Sequence, residues 1–123
     1  MYEVNRSLAL IRPRAPFLHW IQHLPGSGEE LQALTLEALR NDCNAVMVPP
    51  YDDPSELETF LAERYETLFC AELADWCMDE SDWPAPLNLA LFTEWFEVEL
   101  HAVLTDLVDE PLEREAFQPF DLD

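Results

Sequence analysis

Between Leu89 and Leu107 the spacing of apolar residues changes from that of a helix to that of a strand. Leu91, Phe92, Trp95 and Phe96 gather around Glu94 at short helical intervals. From Glu97 onward, Val98, Leu100, Ala102 and Leu104 alternate with Glu97, Glu99, His101 and Val103. The first pattern collects one stripe on a helix. The second sends successive side chains to opposite faces of a strand. A chain that makes this switch must pack helices against a sheet, and its last strand must have one wet face near its start.

The rest of the chain divides in the same terms. Val4 to Ile11 predicts a strand, closed by Pro13 and Pro16. Phe17 to Leu24 predicts a short helix with Phe17, Leu18, Trp20, Ile21 and Leu24 on one face and His19, Gln22 and His23 on the other. Pro25-Gly26-Ser27-Gly28 is a loop, and Glu29 to Arg40 is helical with a part left irregular. Cys43 to Val48, stopped by Pro49-Pro50, is a short buried strand. Asp53 before Pro54 opens a helix whose first turn carries Glu56 and Glu58, where the helix dipole favours acids. Its core side is Leu57, Phe60, Leu61, Tyr65 and Leu68. Past Phe69 the apolar direction drifts to Leu73, Trp76 and Cys77, which predicts a kink or a second segment. Asp79 to Pro84 is a loop, and from Asp109 to Asp123 the chain is an acidic, loosely held tail. The expected architecture is a single α+β domain over residues 1–123. Its small sheet, of about three strands, carries helices mainly on one face, in the order β-α-(α)-β-α-α-β.

Charge narrows what such a domain does. The 26 acids face six arginines and no lysine, for a formal net charge of −20. Glu3 is the only acid in the first 28 residues, where Arg6, Arg12 and Arg14 also lie, so the negative charge belongs to the remainder. That surface repels nucleic acid and anionic membrane and attracts basic partners. Without lysine there is no Schiff base, pyridoxal anchor or P-loop. Gly26 and Gly28 share one loop, so no glycine-rich nucleotide fingerprint exists, and none of the four serines sits in a Gly-x-Ser-x-Gly elbow. Four Trp, seven Phe and three Tyr argue for a packed core despite the charge. No apolar run is long enough to span a bilayer, and the N-terminus lacks a secretory pattern, so the expected location is the cytoplasm. Cys43, Cys70 and Cys77, odd in number and in apolar surroundings, read as buried free thiols.

Four groups of residues carry possible chemistry. Glu97, Glu99 and His101 line one strand face about 6.5–7 Å apart; two carboxylates beside an imidazole make an acid–base pair, or simply a solvated sheet face. Arg6, Arg12 and Arg14 form the one basic neighbourhood, suited to pairing with the chain's own acids, to a neighbouring protomer or to a small anion. His19 and His23, four apart on a helix, could chelate a metal but lack a third ligand; no cofactor is expected. Cys70 and Cys77 would share a helix face in a regular segment. Glu56, Glu63, Glu66, Glu72, Asp75, Asp79, Glu80 and Asp82 form an acidic run over 27 residues. That run is either a solvated surface or a polyanion-like face.

Three stretches carry a resemblance: Arg12 to Trp20, Asp79 to Pro84, and Glu94-Trp95-Phe96 leading to Glu97-Val98-Glu99-Leu100-His101. The chain resembles a family of small acidic bacterial proteins of unassigned function. The resemblance covers most of the chain and implies a single cytoplasmic domain of the order given above. It implies no activity.

Two functions from different classes follow as expectations. The first is a non-enzymatic acidic interaction module that engages a basic protein surface, in the extreme a DNA-mimic-type regulator. The second is a small enzyme or anion-binding protein using the open sheet face around Glu97, Glu99 and His101, with Arg6 or Arg12 holding the anion. A convex negative face favours the first and a concave site where His101 meets an arginine favours the second. An open face or edge also makes a homodimer an expectation.

Overall fold

Two prolines set the first strand–helix junction. A computed structural model describes residues 1–118, and within it strand β2 (Ser7–Pro13) ends on Pro13, while Pro16 occupies the first turn of α1 (Ala15–Gln22). Before β2 lies a two-residue strand, β1 (Tyr2–Glu3). The chain continues through α2 (Glu29–Gln32), α3 (Leu36–Asn41), β3 (Asn44–Val48), α4 (Glu58–Ala74), α5 (Leu89–Trp95), β4 (Phe96–His101) and β5 (Thr105–Asp106). Short 3-10 turns, Pro54–Leu57 and Glu80–Asp82, precede α4 and follow it. The result is an α+β domain with a three-stranded antiparallel sheet ordered β3-β2-β4 and a separate antiparallel pair β1-β5. The sheets do not close into a barrel.

Register divides the three-stranded sheet cleanly into two faces. Ile11 stands opposite Val98 and Ala9 opposite both Val46 and Leu100. These, with Ser7 and Val48, form the inner face, where Ala9, Ile11, Ser7 and Val48 are buried. Arg12 pairs with Glu97, Leu10 with Glu99 and Ala45, and Leu8 with His101 and Met47. Those residues form the outer face, left open as the alternation predicts.

The helices bury the inner face in two clusters. Phe17, Phe69, Phe92 and Phe96 make an aromatic centre, with Phe17 and Phe96 centroids 4.7 Å apart and Phe69 edge-on to Phe96 at 5.7 Å. Tilted and edge-to-face rings at these distances are favoured over a face-to-face sandwich. Around Ala9, Val48 and Leu57 a second cluster collects Phe60, Leu61 and Leu100. Trp20 Nε1 donates to the Asp82 carbonyl and Trp83 Nε1 to the Cys77 carbonyl, so two indoles pin the acidic loop after α4.

Several expectations are corrected in detail. The irregular part allowed for between Glu29 and Arg40 falls at residues 33–35, between α2 and α3, where Thr35 caps α3 by accepting from the Ala38 N–H. Gln22 Nε2 donates to the carbonyls of Leu31 and Leu34 at 3.2 and 3.1 Å, the first of which also accepts from the Leu34 N–H. No second segment begins at Phe69: α4 runs unbroken over 17 residues and ends at Ala74. Its last turns bury Phe69, Cys70, Glu72, Leu73 and Ala74, so the apolar stripe widens until it surrounds the helix. Because α4 stops at Ala74, Cys77 lies beyond it and does not share a helix face with Cys70. The strand expected over 97–107 is broken between β4 and β5, where Ala102 O accepts from the buried Ser7 hydroxyl at 2.7 Å and Leu104 O from the Val4 N–H. Residues 109–118 of the expected tail carry no helix or strand, although Tyr2 bonds Asp109, and residues 119–123 lie outside the described residues. No helix among the described residues is long and apolar enough to cross a membrane.

Candidate functional site

The outer sheet face gathers most of the residues singled out for acid–base chemistry and occupies them with one another. Glu97 Oε1 is 2.7 Å from Arg40 Nη2 and 3.9 Å from Arg12 Nε, and Glu99 Oε2 is 3.8 Å from Arg12 Nη1 and 3.1 Å from His101 Nε2. The alternation of β4 puts Glu97, Glu99 and His101 on one side, and the register with β2 sets Arg12 opposite Glu97, from where its side chain reaches both carboxylates. The Arg40 hydrogen bond is the main cause that holds the Glu97 carboxyl below the usual range, with the charges of Arg40, Arg14 and Arg12 acting in the same direction. A carboxylate held ionised by arginines makes a poor general base. The face is a pleated surface about half exposed at these positions. Arg6 turns to the Asn5 carbonyl at 2.9 Å and takes no part in this chain of ion pairs.

The acids from Asp53 to Asp82, the acidic run among them, differ in what surrounds them. Asp53 and Asp79 accept from the N–H groups of Ser55 and Ser81 at 3.0 Å, and Glu56 accepts from the Asp52 N–H. These acids cap turns, and the serine donors hold Asp53 and Asp79 below the usual range. Glu58, Glu63, Glu66, Asp75 and Glu80 are exposed, and Arg64 at 3.9 Å from Glu63 is the one cation between Asp52 and Asp82. Glu72 leaves the expected face altogether. At 7% exposure it is buried, and the physical reason is its place among Phe69, Cys70, Leu73 and Ala74 on the enclosed end of α4. Asp82 is half-buried, its backbone carbonyl held by Trp20.

Beside Glu72 lies an open cavity of about 300 Å³ between the end of α4 and the start of β3. Phe17 and Leu39 line its apolar side, and Asp42, Asn44, Glu72 and Asp75 its polar side. Asn44 Nδ2 donates to Glu72 Oε1 at 2.8 Å and stands 3.5 Å from Asp75 Oδ2. Burial pushes the Glu72 carboxyl up to about 7, the charge of Asp75 adds to the rise, and the Asn44 bond opposes it.

His19 and His23 are brought together, their rings 4.0 Å apart, with His23 Nδ1 donating to the His19 carbonyl at 2.7 Å. That bond commits one ring nitrogen. Among the described residues no three His, Cys, Asp or Glu side chains converge in a way that would hold a metal. The three cysteines are free; Cys70 is buried and Cys43 and Cys77 half-buried, and burial pushes the Cys70 thiol up, away from a reactive thiolate.

Sequence reasoning missed Arg40 and Asn44 as partners of Glu97 and Glu72. Nothing local marks Arg40, because Glu97 is 57 residues away. Glu72 did carry a signal: it is the lone acid in Leu68-Phe69-Cys70-Ala71-Glu72-Leu73-Ala74. Compared with known proteins, the chain matches no family model, no curated protein and no solved structure.

Proposed function

We propose that this chain is a non-enzymatic interaction module whose acidic face, formed by α4 and the turns at its two ends, docks on a basic protein surface. The observation that carries this reading is the separation of the charges. Arg12 and Arg40 are taken up by Glu97 and Glu99 on the outer sheet face, while the eleven acids from Asp52 to Asp82 share Arg64 alone. An uncompensated field of one sign raises encounter rates with an oppositely charged partner and weakens as salt is added.

The enzymatic alternative has less support, because its two carboxylates are held by arginines on a surface with no enclosing walls. A labelled octa-arginine peptide provides the test. Replacing Glu58, Glu63 and Glu66 together by Gln should weaken its binding about tenfold, at up to about 1 kcal/mol per exposed pair. Replacing Glu110, Glu113 and Glu115 by Gln removes the same charge from elsewhere and should change the affinity much less. Equal losses from the two triple variants would leave the charge without a preferred face and sink the proposal.

A further inference from the structure

We infer that Glu72 is a proton-operated latch: protonated, it holds the last turns of α4 against the start of β3, and ionised, it lets the two part and widens the adjoining cavity to water. Glu72 is 93% buried, its side chain enclosed on a helix end that also buries Phe69, Cys70, Leu73 and Ala74. Its hydrogen bond runs to a different element, from Asn44 Nδ2 at the first residue of β3. A neutral carboxylic acid can occupy that place, accepting from Asn44. A carboxylate there is a buried charge, and such a charge is costly unless it is paired.

The groups facing Glu72 do not pair it. Just past α4 stand Asp75 and Trp76, before β3 stand Asp42 and Cys43, and β3 begins at Asn44; β2, α1 and α3 offer Pro13, Phe17 and Leu39. The ionisable neighbours are thus two acids and a thiol. Arg40 is committed elsewhere, with Nη1 on the Pro13 carbonyl at 2.9 Å and Nη2 on Glu97. Asn44 alone favours the charged form, through one bond from its side-chain NH2, which also faces Asp75 Oδ2 at 3.5 Å. The cavity supplies the exit: it is open to solvent along the same wall, so an ionised Glu72 regains water by a shift of the α4 end away from β3. Burial puts the changeover at about 7, within the range a cell can traverse.

The experiment is an NMR titration of the intact, ¹³C/¹⁵N-labelled protein from pH 4.5 to 8.5. It follows the Glu72 side-chain carboxyl and, after correction for intrinsic rates, amide exchange in β3 and the last turn of α4. The expected result is a Glu72 midpoint between about 6 and 8, with protection of those amides falling at least about tenfold across it. In Glu72→Gln, which keeps an acceptor for Asn44 and carries no charge, protection should stay level. A Glu72 midpoint near the ordinary carboxylate value would overturn the latch, whatever the variant does. So would unchanged protection across a midpoint near 7, or the same loss of protection in Glu72→Gln.

Discussion

Arg40, in the last turn of α3, joins two strands of the sheet: its Nη1 donates to the Pro13 carbonyl at the end of β2 and its Nη2 to Glu97 in β4. The guanidinium fork suits two acceptors held in fixed positions. Removing it in Arg40→Met takes away the partly buried Pro13 bond, worth about 1 kcal/mol, and a urea denaturation midpoint should fall accordingly. Glu97→Gln should also destabilise. Because the Glu97 carboxyl is held below its ordinary range, its contribution is present above the unfolded carboxylate pKa and is lost as pH falls through the folded value. The gap between wild type and Glu97→Gln should therefore close in acid.

Glu72 has the opposite sign. Its folded value of about 7 lies above the ordinary 4.5, so the native state binds the extra proton between those limits. Stability is full below the unfolded value and declines as pH rises to about 7, by roughly 3 kcal/mol in total. Thermal unfolding of Glu72→Gln should lack this decline, leaving the variant more stable than wild type at pH 8. Equal pH slopes for the two proteins would refute the assignment.

Phe17 is 1% exposed and stacks with Trp20 at 5.7 Å while meeting Phe96 at 4.7 Å. Phe17→Ala should cost about 3–5 kcal/mol by opening a cavity among the aromatic rings. Phe17→Leu should cost less, since it keeps most of the apolar volume. Chemical denaturation of both variants gives the comparison.

Asn88 caps α5 through a 2.8 Å bond from the Leu91 N–H to its side-chain oxygen. Asn88→Ala should lose about 1 kcal/mol and Asn88→Asp should lose little, as either side chain serves as a cap. A thermal shift series reports the order directly.

How far these features can be read beforehand depends on the range of the interaction that creates them. Residues Phe96 to His101 are legible because a strand with one wet face writes its alternation into the chain, and that pattern correctly placed Glu97, Glu99 and His101 together. Pro54 after Asp53 marked a helix start through a rule that acts over two residues. The continuity of α4 is not legible in the same way, since burial on all sides of residues 69–74 erases the period that signals a helix. Glu72 was assigned to the solvated acids for a related reason: charge alone says nothing of enclosure, which comes from the packing of Phe69, Leu73 and the neighbouring strands. The Arg40–Glu97 bond depends wholly on the tertiary fold.

A chemical-shift map of the ¹⁵N-labelled protein, titrated with an octa-arginine peptide at low and high salt, locates the acidic docking face residue by residue. The perturbed amides should concentrate in residues 52–67 and 75–82, the exposed part of α4 and the turns at its two ends, and should fade at high salt. Perturbations spread evenly over the acidic residues, or centred on β4 and the C-terminal segment, would contradict that placement.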